Sequence, residues 1–263
     1  MMAGARHGGS RSGAIGRLAR PEAIGLAVLC AVLAAIGWVV NPFWLAVVVG
    51  LQLALAGMGA VYVIGPARPR LGFARYVTFA SAAVSLTVFG RLAPPGVALL
   101  LTPVVAVVLW SVLWLELRLA AGLDGSWMLD LALVAVLFAG SAGIWQLFAA
   151  ETWQLPLALV LLLTGVLAIR SAEARGWTGA PAIGQALLHV LAVAQTAAAL
   201  ALLGLPGLVV PAIVALVFHA WSGAADALGG RASLRSVALE FGGLGLLALV
   251  TALITASLVY QPG

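Results

Sequence analysis

Long apolar segments follow one another along almost the whole chain, separated by short stretches that carry Pro, Gly or Arg. A helix needs about 20 mainly apolar residues, within a range of roughly 17–25, to cross the hydrocarbon core of a bilayer. The segments therefore predict an all-α fold, a polytopic bundle of nine transmembrane helices. The predicted spans are 23–40, 43–65, 77–93, 97–117, 128–150, 155–171, 182–204, 207–228 and 236–260.

The composition supports this fold class. Of the 263 residues, 64% are hydrophobic and 8% are charged, whereas a soluble globular domain is about one-quarter charged. So few charges cannot cover a water-exposed surface, which excludes a water-soluble protein. We predict a flexible basic cytoplasmic tail over residues 1–22 and one transmembrane domain over 23–263, with the lipid bilayer as its main partner.

All thirteen basic residues are arginine, and their positions predict the orientation of the spans. If the amino terminus is cytoplasmic, every arginine except Arg91 falls in an inside segment. Because cytoplasmic segments carry an excess of positive charge, we predict the amino terminus inside and the carboxyl terminus outside. The lysine-free composition is typical of a GC-rich bacterial genome and indicates the bacterial cytoplasmic membrane. Since the arginines mark topology, no nucleic-acid partner is predicted.

The predicted outside turns are short, and each contains proline at or near the start of the next helix. Proline is tolerated there because its missing N–H would have no partner within the helix. The chain is thus predicted to form four proline-led hairpins and one last helix. The turns are Asn41-Pro42, Pro94-Pro95-Gly96, Leu155-Pro156 and Leu205-Pro206-Gly207. Two further prolines, Pro103 and Pro211, predict breaks inside spans four and eight, as transporters have.

Several chemistries are excluded by missing residue types. The absence of lysine excludes a Schiff-base or pyridoxal-phosphate enzyme and a Walker A phosphate loop. With Cys30 as the single cysteine, the chain forms no internal disulfide and no thiol metal cluster. No catalytic residue, cofactor or metal site is predicted from motifs.

Polar residues in the last three spans form the main candidate site, because an ionisable group inside a span is by default a functional hypothesis. Helical spacing places them on shared faces of spans seven and eight, with one carboxylate a turn into span nine. The histidines of spans seven and eight lie roughly 10–12 Å from the inner end. The cluster comprises Gln185, His189, Thr196, His219, Ser222, Asp226 and Glu240.

Three interpretations of this cluster stay open. It is a polar network that fixes helix packing, a proton or cation relay of a transporter, or a bis-histidine haem or other metal site.

Two further groups of charges are predicted to pair. Glu116, Asp130 and Asp226 lie near the inner interface, within reach of water or of an arginine among Arg118, Arg170 and Arg231. At the outer end, Arg91 and Glu151 form a candidate pair across spans three and five, which is either a surface ion pair or a ligand site.

The sequence leaves three functions open. The first, which we favour, is a non-catalytic membrane component of a larger assembly, with membrane-protein partners or further copies of the chain. The second is a small-solute or ion transporter, proton-coupled through the polar cluster. The third is an intramembrane redox or metal enzyme.

Overall fold

The computed structural model describes residues 21–65, 72–123, 125–203, 205, 207–229 and 233–259. Almost all of the predicted basic tail lies outside these residues, as do Arg68, Arg70 and Arg231. Within them the chain is all-helical and has no strand. The helices are α1 (Pro21–Val39), α2 (Pro42–Ile64), α3 (Ala74–Gly90), α4 (Pro95–Leu100), α5 (Thr102–Ala120), α6 (Ser126–Leu147), α7 (Gln154–Ala174), α8 (Ala180–Leu202), α9 (Val209–Gly229) and α10 (Leu234–Val259).

Seven of these helices are long and apolar enough to cross a membrane, namely α1, α2 and α5 to α9. The chain is therefore a multi-pass membrane protein. The two other long helices are α3, with 17 residues, and α10, with 26. Each predicted span coincides with a helix to within a few residues, except for the fourth.

The fourth predicted span, 97–117, is divided at Leu101 into two helices. The backbone of Leu101 keeps right-handed helical angles, so the interruption is local. Pro103 has no N–H with which to reach the carbonyl of Leu99, four residues earlier. The hydroxyl of Thr102 donates to that carbonyl instead, at 2.8 Å. The break predicted at Pro211 does not occur, since this residue lies in the first turn of α9, where proline is tolerated.

The proline-led starts are confirmed where the structure describes them. Helix α2 begins at Pro42, and the side chain of Asn41 caps it by accepting a hydrogen bond from the N–H of Trp44 at 3.1 Å. Helix α4 begins at Pro95, and Pro156 is the third residue of α7. The predicted turn at 205–207 lies only partly within the described residues.

The helices form two groups that meet at α3. Helices α1, α2, α3 and α5 pack together, while α6 to α9 form a ring in which α9 returns to α6. Helix α3 also packs against α6 and α7, so it is surrounded by neighbours, and most of its residues are buried. Helix α10 packs chiefly against α9, at the edge of the second group.

Small residues allow the close approach of α3 and α6. A Cβ atom on Gly143 would lie 2.5 Å from the backbone carbon of Val88, and one on Gly140 would lie 2.6 Å from Oγ of Ser85. Such contacts leave no space for a larger side chain. Helices in lipid associate through this kind of backbone approach.

Candidate functional site

Charged side chains from α3, α5, α6, α7 and α9 gather at one end of the bundle. Four arginines that were predicted to lie on the inside are at this end, namely Arg75, Arg118, Arg170 and Arg175. Carboxylates lie between the guanidinium groups, so the charges of both signs are in contact. We call this group the ionic network, and it comprises Arg75, Glu116, Asp130, Arg170, Ser171, Glu173, Arg175 and Asp226.

The pair between Arg170 and Glu116 is the most deeply buried part of the ionic network. The guanidinium donates two parallel hydrogen bonds, from Nε to Oε1 at 2.8 Å and from Nη2 to Oε2 at 2.7 Å. The two side chains are 7% and 0% exposed. Because α5 and α7 both pack against α3, the pair joins them across the end of that helix. The prediction that Glu116 can pair with one of Arg118, Arg170 and Arg231 is confirmed for Arg170.

A second part of the ionic network lies at the start of α3. The carboxylate of Glu173 accepts a hydrogen bond from the N–H of Ala74 at 3.5 Å. Arg75 donates from Nη2 to the hydroxyl of Tyr76, while its Nε and Oε2 of Glu173 are buried and have no hydrogen-bond partner. Gly72 packs directly against the Glu173 carboxylate, which a Cβ atom at position 72 would overlap.

A cavity of about 20 Å³ lies between these groups, and its lining includes Arg75, Arg170, Glu116 and Glu173. This volume suits one water molecule, which needs about 10–15 Å³ and two to four polar partners. The cavity has the charges of two cations and two anions around it, so it favours a neutral molecule with both donor and acceptor capacity. It is too small for an organic substrate.

Arg175 joins three helices by using all five of its N–H groups. Its Nη2 donates to Asp130 and to Asp226, both at 2.8 Å, its Nε donates to Asp226, and its Nη1 donates to Ser171. Burial alone would lower the pKa of Arg175, but the hydrogen bonds and charges of the two aspartates outweigh it and raise the pKa above its ordinary value. The guanidinium is therefore a permanent cation.

Asp130 and Asp226 both pair with Arg175, so the predicted partners Arg118, Arg170 and Arg231 were wrong for these two carboxylates. Arg175 lies just beyond the end of α7, where its long side chain reaches α6 and α9 together.

His189 on α8 is 2% exposed, and both of its ring nitrogens are engaged. Nδ1 lies 2.9 Å from the carbonyl oxygen of Gln185, and Nε2 lies 3.0 Å from Oγ of Ser222 on α9. A carbonyl only accepts, so Nδ1 carries the proton, and Nε2 accepts from the serine hydroxyl in the neutral ring. The rings of Phe218 and Trp221 pack beside the imidazole.

The other members of the predicted cluster lie apart from His189. Thr196 donates to the carbonyl of Ala192 within its own helix. His219 and Glu240 are exposed on the outside of the bundle. The structure therefore brings together Gln185, His189 and Ser222, and it places Asp226 in the ionic network.

A cavity of about 10 Å³ lies between His189 and Arg175, and Gln185 and Ser222 also line it. This volume is at the lower limit for a single water molecule, so the cavity does not hold a hydrated ion. Among the residues that the structure describes, no group of three or more His, Cys, Asp or Glu side chains is arranged to hold a metal.

The predicted outer pair is not formed. Arg91 donates from Nη1 to the carbonyls of Gly37 and Val40, at 2.7 and 2.8 Å, and so caps the end of α1. Glu151 is exposed after α6 and forms no ion pair with any residue that the structure describes. The long arginine side chain reaches backbone acceptors on a neighbouring helix, which sequence spacing did not reveal.

Sequence reasoning missed several buried polar groups, among them Glu173 and Ser171 of the ionic network and Gln52 in the middle of α2. Its Nε2 donates to the carbonyl of Cys30 on α1 at 3.0 Å, and its Oε1 accepts from the hydroxyl of Thr87 on α3 at 2.7 Å. A glutamine inside an apolar run was the available signal, since a buried amide needs partners. Gln52 thus joins the first three helices.

No model of a known protein family, no curated protein and no solved structure matches this chain.

Proposed function

We propose that this protein is a non-catalytic membrane component of a larger assembly, with nine spans, the amino terminus and the ionic network at the cytoplasmic face, and the carboxyl terminus outside. The arginine distribution supports this orientation. The bacterial cytoplasmic membrane is the proposed location. In this arrangement α3 and α10 also cross the bilayer.

One observation supports the non-catalytic role: most buried polar groups of the described residues bond to one another, and Nε of Arg75 and Oε2 of Glu173 are exceptions. Arg175 uses all five donors, Arg170 and Glu116 form a two-bond pair, and His189 has a partner at each nitrogen. Transport and catalysis need polar groups that can exchange partners with a substrate. Here these groups serve to hold helices together.

The assembly part of the proposal is supported by α10. This helix packs chiefly against α9, and a Cβ atom on Gly242, Gly243 or Gly245 would meet no atom within 4 Å. Gly242 and Gly245 lie three residues apart and so share one side of the helix. Open glycines allow close approach of a second helix in lipid. A partner helix, from another membrane protein or from a second copy of this chain, would pack there.

A photo-crosslinking residue in place of Gly243, in membranes of the native host, tests the assembly. We expect one discrete protein adduct, whose mass separates a second copy from a different protein. The same residue in place of Leu162, which is 72% exposed on α7, is the control and should label lipid. Absence of a discrete adduct from position 243 would contradict the proposal.

The transporter alternative makes a different prediction about the polar cluster. We expect the triple variant His189→Gln, His219→Gln and Glu240→Gln to keep the abundance and the crosslinked assembly of the wild type. Proton flux into reconstituted vesicles is the second measurement. A proton flux in the wild type that the triple variant loses would favour the relay and overturn the proposed role.

A further inference from the structure

Two buried polar atoms of the ionic network lie at one cavity without a direct bond between them. They are Nε of Arg75 and Oε2 of Glu173, and neither has a hydrogen-bond partner among the residues that the structure describes. Arg75 is 4% exposed, and both residues line the cavity of about 20 Å³ near the start of α3. A buried donor or acceptor without a partner is costly, so the two atoms indicate a ligand in that cavity.

The charges around the cavity restrict what this ligand can be. The lining includes two guanidinium groups, of Arg75 and Arg170, and two carboxylates, of Glu116 and Glu173. An ion of either sign would lie beside two groups of its own sign, and this repulsion is strong in a site shielded from water. A neutral water molecule fits the volume, and it accepts from one polar group while donating to another. Water is therefore the ligand that suits this site.

Hydrogen bonds lead from the cavity to the ends of two helices. Nη2 of Arg75 donates to the hydroxyl of Tyr76 at 2.6 Å, and that hydroxyl donates to the carbonyl of Gly65, just after α2, at 2.8 Å. On the other side of the cavity, Glu173 lies in the last turn of α7. The step from Nε of Arg75 to Oε2 of Glu173 has no direct hydrogen bond, and water commonly bridges polar groups placed in this way.

We propose that the cavity binds one water molecule, which accepts a hydrogen bond from Nε of Arg75 and donates one to Oε2 of Glu173. The water completes a chain of hydrogen bonds from the end of α2 to the end of α7. It thereby joins the two groups of helices through the start of α3, beside the direct pair of Arg170 and Glu116. The site is separate from the glycines of α10, so it does not depend on the proposed function.

A structure of the full-length protein in lipid nanodiscs, at a resolution that shows ordered water, tests the site directly. We expect one isolated density peak within about 2.5–3.2 Å of both Nε of Arg75 and Oε2 of Glu173, the range for hydrogen bonds. An empty cavity, a direct bond between the two side chains, or a side chain of residues 66–71 in place of the water would each overturn the proposal.

Radiolytic labelling of the unmodified protein gives a second test in solution. X-ray pulses convert a bound water molecule into hydroxyl radicals, which oxidise the side chains beside it. Leu119 lines the cavity, so we expect it to be oxidised, as measured by mass spectrometry of its peptide. Leu113 on the same helix is 0% exposed and gives the background. Oxidation of Leu119 no greater than that of Leu113 would overturn the site.

A matched pair of variants separates bound water from bulk water as the source of this oxidation. Ala120→Val adds two methyl groups at a position that lines the cavity, and it should reduce oxidation of Leu119 to the level of Leu113. Ala121→Val makes the same change at the next, exposed position and should leave the oxidation as in the wild type. Full oxidation of Leu119 in Ala120→Val would overturn the proposal. These tests do not involve Gly243, so this inference and the proposed function fail separately.

Discussion

At the scale of single residues, the most deeply buried charges of the ionic network form an ion pair, between Glu116 and Arg170. Glu116 is 1% exposed and Arg170 is 6% exposed, so each would be an isolated buried charge without the other. Such a pair is weak support for net stability, because removing two charges from water is costly. The main consequence of the pair is that it fixes the position of α5 relative to α7 across the end of α3.

Replacing one partner of this pair should be strongly destabilising. We expect Glu116→Leu or Arg170→Leu to lower the free energy of unfolding by about 3–5 kcal/mol, because each leaves an unpaired charge in the bundle. Unfolding in mixed detergent micelles, followed by circular dichroism, measures this change. Glu151→Leu, at an exposed position, is the control and should change stability by about 0.5 kcal/mol or less.

The double replacement of Glu116 and Arg170 by leucine distinguishes a structural pair from other roles. We expect it to recover most of the loss, because two apolar side chains of similar volume need no compensating charge. A double variant as unstable as either single variant would contradict the interpretation.

The hydrogen bond between His189 and Ser222 should contribute much less. Side-chain hydrogen bonds between transmembrane helices average about 0.6 kcal/mol, with a maximum near 1.7. We therefore expect Ser222→Ala to lower stability within that range, in the same unfolding assay. Ser257→Ala removes a hydroxyl that bonds only to its own helix, so it should have no measurable effect.

At the scale of helices, α3 determines how closely the two groups of helices approach. Its sequence is rich in Ala, Ser and Thr around the whole circumference, and most of these residues are buried. Gly140 and Gly143 of α6 face it at distances that exclude a Cβ atom. The contact between α3 and α6 thus depends on backbone packing rather than on large side chains.

A methyl group at this contact should separate the helices. We expect Gly143→Ala to lower the free energy of unfolding by about 1–3 kcal/mol, the range for overpacked sites. Gly50→Ala is the matched control, because a Cβ atom on that glycine of α2 meets nothing within 4 Å. Equal stability of the two variants would show that the contact is not close-packed.

The helices were predictable from the sequence, while their rotations and side-chain partners were not. The lengths of the apolar runs and the prolines at 42, 95 and 156 indicate where the helices lie. Both signals are local in the sequence, because a span needs about 20 apolar residues and proline is tolerated at a helix start. His219 lies outside the bundle because the rotation of α9 places Ser222, not His219, against α8. Arg91 binds backbone carbonyls of α1 and Arg175 binds two aspartates, and neither set of partners was predicted, because a long arginine side chain can reach several helices.

At the scale of the whole molecule, the protein is an apolar bundle with one charged end. The ionic network joins the helix ends there, Gln52 links three helices deeper in the bundle, and Gly242 and Gly245 leave open space beside α10. The proposed arrangement places the arginine-bearing end in the cytoplasm. This orientation is its central claim.

Labelling of introduced cysteines with a membrane-impermeant maleimide in intact cells tests this orientation most directly. Cys30 is buried, so it gives little background. We predict that Pro94→Cys, Glu151→Cys and Gln261→Cys react from outside, although residue 261 lies beyond the described part of the chain. Gly176→Cys and Ser233→Cys should react only after the membrane is opened. The reverse pattern, or labelling of positions 233 and 261 from the same side, would contradict the account.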